Sequence, residues 1–135
     1  MTKRKKTIPI AKKEWRDYWQ KSQNFFRGML QLSGEGNWDS AASLAIHTAI
    51  QAADAILIYS QGYKNSGEHS NVARLISQLS LEGTNSASQH LSKILSVKSL
   101  VEYSGDSYLE EDFAEIAKQT ERFMNWGRQI LPKQL

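Results

Sequence analysis

Proline occurs only at Pro9 and Pro132, so nothing between them removes a backbone donor or fixes φ in a way that stops a long helix. Glycine supplies the punctuation. Gly34 and Gly36, Gly62 and Gly67, Gly83, and Gly105 form four clusters that divide the chain into five segments. Gly28 and Gly127 fall inside segments, at a cost a helix tolerates. Apolar residues recur at three- and four-residue steps, and no segment alternates as a strand does. The expected fold is therefore all-α: an antiparallel up-and-down helical bundle of about five helices with short connections.

The first segment, about Ile10 to Ser33, repeats Trp15, Tyr18, Trp19, Ser22, Phe26, Met29 and Leu30 on one face; Pro9 suits its first position and Gly34 its end. The second, about Trp38 to Tyr59, is rich in alanine and apolar on more than one side, which predicts the central helix, with Asn37 or Asp39 as its cap. The third is expected over Ser70 to about Leu81, and the fourth over about Ala87 to Ser104. The fifth opens with Ser107 three residues before Glu110, a capping-box spacing, and its stripe continues to Leu131.

The length, 135 residues, fits one domain with a real core. Hydrophobic residues make up 40% and charged residues 23%, ordinary globular usage that excludes a disordered chain. No run of about 18 apolar residues is visible, so no membrane partner is expected. The basic start lacks an apolar stretch behind it, unlike a secretory signal. Cysteine is absent, which rules out disulfides and thiolate chemistry and suits a cytoplasmic location. Lys3, Arg4, Lys5, Lys6, Lys12 and Lys13 crowd the first 13 residues, while the net charge is only +3. Residues 1–9 read as a basic N-terminal arm, and residues 10–135 as a single helical domain. Such an arm suits either a phosphate backbone or a solvated terminus.

The three histidines, His47, His69 and His90, form no familiar metal-ligand spacing, and no metal or cofactor is expected. Nucleophile elbows and phosphate-binding glycine loops are missing; GYKNSG (62–67) follows a helix and not a strand. The most unusual polar feature is Ser43, His47, Gln51 and Asp54, which share one stripe of the central helix. That stripe suits the wall of a polar groove, with His47 contacting a nucleobase or moving a proton. A buried hydrogen-bonded network that fixes helix register, or a partly exposed face, is the favoured reading of the same stripe. His69 stands just before the third helix, where it caps that helix or packs on the central one, and a neutral imidazole is expected there. His90 is expected on the first turn of the fourth helix, facing solvent. The four tryptophans read as core, or as a sticky face for a second subunit.

In order, the chain shows an aromatic first helix, a glycine turn, SAASLAIHTAIQAADAILIYSQG, a second histidine in SGEHSNVARLISQL, then LSKILSVKSLVEYS and a long final helix with an acidic start. From about Trp15 to Leu131 this pattern resembles the HEPN family of bacterial nucleotide-associated helical domains. The resemblance implies a bundle of four or more helices, often a homodimer, that associates with a nucleotide or RNA. It also implies a toxin–antitoxin, defence or RNA-processing setting, with a nucleotidyltransferase-type protein as a possible partner. Catalytic members of the family are metal-independent ribonucleases carrying an arginine, four to six residues and then a histidine. None of Arg4, Arg16, Arg27, Arg74, Arg122 and Arg128 has a histidine at that spacing, and KSLVEYS puts Lys98 and Tyr103 near where the pair belongs. Lysine holds phosphate as a point charge, but tyrosine is a poor base at neutral pH. The resulting expectation is a non-catalytic binding module with His47, Gln51, Asp54, His69, Lys98 and Tyr103 as ligand-binding residues. A structural, dimerising interaction protein and an atypical metal-independent ribonuclease are the alternatives.

Overall fold

The computed structural model describes residues 6–133. It is an all-α bundle with a two-stranded clip. In chain order the elements are β1 (Thr7–Pro9), a 3-10 turn (Lys12–Glu14), α1 (Trp15–Gly34), α2 (Trp38–Gln61), β2 (Tyr63–Asn65), α3 (Ser70–Ser77), α4 (Thr84–Ser96), α5 (Lys98–Tyr103) and α6 (Glu110–Ile130).

Strong local signals bound α2. The Asn37 side chain accepts the Ser40 N–H at 3.4 Å, and Gly62 closes the helix in the left-handed region at φ 76°. Asp39, the other candidate cap, instead accepts the Tyr108 N–H at 2.6 Å and ties the start of α2 to the approach of α6. Ala41, Ala42, Ala45, Ala49, Ala52, Ala53 and Ala55 are all fully buried, which lets neighbouring helices approach α2 closely. By length and composition α2 is apolar enough to cross a membrane, contrary to the expectation that no such stretch exists. However, 78% of its most apolar window is buried inside the bundle, as the core helix of a helical domain requires.

Residue contacts set the up-and-down course. Trp15 meets Tyr59 edge to face at 5.7 Å and Gly28 meets Leu44, so α1 and α2 are antiparallel. Gly83 meets Trp126 and His90 meets Gln119, so α4 and α6 are antiparallel as well. Gly127 of α6 then closes against Trp19 of α1. One large apolar cluster spans α1, α2, α3, α4 and α6; a second, around Met29, Tyr108, Phe113 and Ile116, fills the end where α1, α2 and α6 meet.

Several boundaries differ from expectation. Pro9 does not open α1; it lies in β1, where its missing N–H is harmless in a two-stranded pair. β1 runs antiparallel to β2 with Thr7 opposite Asn65 and Pro9 opposite Tyr63. Bonds from Ile10 N–H to the Gly62 carbonyl (3.0 Å) and from Ser66 N–H to the Lys6 carbonyl (2.9 Å) extend the clip. Lys6 to Pro9 of the basic arm are thus tied to the loop after α2; Lys3, Arg4 and Lys5 lie outside the described residues. α3 stops at Ser77, and the Gln78 and Leu79 N–H groups tighten into three-residue bonds. The fourth segment splits at Val97, whose N–H likewise reaches Ile94, so the expected bundle of about five helices stands as six α-helices among the described residues, the added one being the short α5. Ser107 does not cap α6: Leu109 takes the cap position, and its N–H is accepted by the Asp112 carboxylate at 3.2 Å.

Gly127 is the tightest close approach. A Cβ there would stand 2.9 Å and 3.0 Å from two ring carbons of Trp19, an indole only 3% exposed. Gly127→Ala is expected to destabilise the fold by about 1–3 kcal/mol in urea denaturation, because overpacking a rigid ring outweighs the gain in helix propensity. Unchanged or increased stability would mean that Trp19 can move aside.

Candidate functional site

The polar stripe of α2 does not behave as one surface. At its start, the Ser43 hydroxyl donates to Glu102 Oε1 of α5 at 3.2 Å, and His47 Nε2 stands 3.3 Å from the same oxygen. The other side of His47 faces the Phe25 ring of α1, with centroids 5.8 Å apart. Gln51 is half-buried in the middle of the stripe. Asp54, at the far end, is only 5% exposed and sits beside Lys64 and Asn65 of β2, away from α5. Among the described residues its Oδ1 has no hydrogen-bond partner. Burial pushes the Asp54 carboxyl up to about 6 against the nearby Lys64 charge and a bond from the Asn65 backbone, both of which favour the ionised form.

Asn65 is the hub that places the second histidine. Its side-chain amide donates to the Gly67 and Glu68 carbonyls at 3.3 and 3.0 Å. Its oxygen accepts from Gly67 N–H at 3.2 Å and from the Asn71 side chain at 2.9 Å. Asn71 in turn accepts from Arg74 at 2.9 Å. This network folds residues 65–71 into a tight bend and delivers His69 to the mouth of a depression of about 360 Å³ that it shares with Glu68, Ser70, Leu95 and Lys98. The His69 side chain makes no capping bond to α3 and remains open to solvent.

Electrostatics shows which groups lie together. The His69 imidazole is held below its ordinary pKa, first by partial desolvation, then by Lys98 and His47 nearby, with Glu102 opposing and Lys64 adding to the effect. Desolvation and adjacent cations, and not only the helix N-terminus, disfavour the protonated form. Groups from α2, β2, the 65–71 bend and α5 thus lie near one another around His69. Aromatic rings edge it: Lys64 lies over Tyr18 at 5.2 Å, and Lys98 over the 77% exposed Tyr103 at 5.3 Å. Two of the expected site residues depart from this picture. Asp54 is enclosed beside the clip, and Gln51 makes no side-chain bond among the described residues that would aim it. His90 is also misplaced by the expectation: it lies in the middle of α4, half-buried, with Nδ1 2.7 Å from Gln119 of α6, because that helix begins at Thr84.

The residue missed from sequence was Glu102. It stands 59 positions from Ser43, and nothing local marks it. A larger depression, about 720 Å³, lies elsewhere, between Lys12, Lys13, Trp15 and the C-terminal ends of α2 and α3. The lysines there face two helix C-termini, whose carbonyl dipoles their charges offset. Among the described residues no group of three histidine, aspartate or glutamate side chains is arranged to hold a metal ion. Comparison with protein-family models, curated proteins and solved structures finds no match for the chain.

Two titrations test this geometry. Lys98→Met is expected to raise the His69 pKa, since it removes the first-ranked cation; the histidine ring-proton shifts in an NMR pH titration report it, and an unmoved midpoint would separate the two residues. Asp54→Asn tests the buried carboxyl. A group raised from 3.8 to about 6 on folding leaves full stability below pH 4 and loses it as pH rises through 6. The penalty at neutral pH is roughly 3 kcal/mol. Asp54→Asn is therefore expected to be more stable than the wild type at pH 7.5 and similar at pH 4 in urea denaturation. An equal difference at both pH values would show that Asp54 titrates as an ordinary carboxylate.

Proposed function

We propose that the chain is a HEPN-like, non-catalytic binding module that holds a phosphate-bearing ligand, a nucleotide or a stretch of RNA, in the groove over Ser43 and His47. The observation that carries this reading is the pairing of Lys98 with His69 in one open depression, with the Lys64 cation close enough to bear on the imidazole. Phosphates seek such positive charge, and the exposed rim of Tyr103, with Phe25 and Tyr18 nearby, offers faces on which bases stack. The absence of an arginine–histidine pair at the ribonuclease spacing supports binding without turnover.

One observation favours a second reading, an atypical metal-independent ribonuclease. His69 and Lys98 line one depression, which pairs an imidazole able to accept a proton with a phosphate-binding cation. A labelled RNA pool incubated with the protein in chelator separates the two, with gel shift and cleavage read together. The expected result is a salt-sensitive shift without cleavage. The Lys64→Ala, Lys98→Ala double variant should weaken the shift and lower the slope of log affinity against log salt by about 1–2. Lys118→Ala, a charge loss on exposed α6, should leave it unchanged. Cleavage lost in His69→Ala would establish the ribonuclease instead, and neither shift nor cleavage would overturn both.

A further inference from the structure

Glu102 is the anomaly of the groove. Lys98, His47 and Lys64 all lie near His69, yet the Glu102 carboxylate stands among them, turned toward α2. It accepts the Ser43 hydroxyl and faces the His47 imidazole through a single oxygen, with its side chain only 21% exposed. A hydroxyl donor and an imidazole nitrogen converging on one anionic oxygen would serve a phosphate oxygen equally well. The element that supplies the carboxylate is weakly seated. None of the six residues of α5 is buried, and the helix is bounded by the break at Val97 and by the extended Ser104 followed by Gly105, where an added Cβ would meet open space. Leu100 and Tyr103 of the same helix are exposed, and Val101 is its one apolar side chain packed against the core, so little apolar surface holds it down.

We infer that Ser43 and His47 form an oxyanion subsite, filled in the unliganded protein by Glu102, and that a phosphate monoester of the ligand takes this subsite by displacing the carboxylate. The inference rests on the binding function proposed above and specifies its ligand. The class follows from charge. A phosphodiester carries the same single charge as Glu102 and gains nothing by exchange. A terminal phosphate carries between one and two negative charges at neutral pH and offers three acceptor oxygens, so it competes favourably among these cations. The preferred ligand is thus a nucleotide or an RNA end and not the interior of a strand.

The test uses the full chain and one labelled RNA oligonucleotide in three forms: 5′-phosphorylated, 3′-phosphorylated and unphosphorylated at both ends. Inorganic phosphate serves as competitor, so that capture of free phosphate is distinguished from capture of an RNA end. Wild type is expected to prefer a phosphorylated form. Glu102→Gln, which keeps the size and an acceptor for Ser43, should widen that preference on the order of tenfold. Adding Ser43→Ala to Glu102→Gln should narrow it again. Competition by inorganic phosphate at concentrations that displace the phosphorylated oligonucleotide would identify the free ion as a ligand of the same subsite. If all three forms bind and Glu102→Gln changes them equally or not at all, the subsite is overturned while the binding function stands. If no form binds either protein, the binding function itself falls, and the subsite with it.

Discussion

The structure depends on the enclosure of α2. Its alanines let α1 approach closely enough for Gly28 to meet Leu44, and Ile56 reaches the notch that Gly127 leaves in α6. A helix covered on most sides has little freedom in where its polar residues go. Each must find a partner, reach solvent or carry a desolvation penalty. Ser43 and His47 find Glu102, Gln51 stays half-open, and Asp54 carries the penalty as a raised pKa. One stripe therefore yields three different outcomes, set by what covers each turn of the helix.

What covers the stripe was the part least legible in the sequence. The all-α class, the course of α2 and its caps at Asn37 and Gly62 rest on local signals, periodicity and turn chemistry, and they stand within about two residues of expectation. The clip rests on three-residue strands too short to show alternation, and it changes the environment of Asp54 from open stripe to enclosed pocket. Starting α4 three residues late put His90 on the first turn, whereas it lies in mid-helix beside the buried Ala87–Leu91–Ile94 stripe, a spacing that turns it toward Gln119. The Val97 break has no glycine or proline to announce it. Glu102 could be found only from tertiary structure, because the groups that give it meaning lie on another helix.

The two walls of the groove are built by different physics. The wall carrying His69 is held by a chain of directed bonds, from Arg74 through Asn71 and Asn65 to the Gly67 and Glu68 backbone. Asn65 is 8% exposed and Asn71 9%, so breaking this chain would strand buried polar groups. That wall is fixed. The opposite wall, α5, buries no residue, and the Glu102 contacts with Ser43 and His47 are the polar bonds that join it to α2.

That asymmetry follows from the bundle's geometry. α1, α4 and α6 are long enough to bury continuous apolar stripes against α2 and its neighbours, and their packing closes most of the core. The remaining side of α2 is left to the 62–69 loop and a six-residue helix, neither of which has the length to present a stripe. Polar residues are tolerated on the facing part of α2 because that cover is thin. The same thin cover leaves Lys64, His69 and Lys98 free to gather around it. In this fold the place where helical packing runs out is also the place where charge collects, which is why the proposed binding face is drawn over α2 and not at the larger depression beside Lys12 and Lys13.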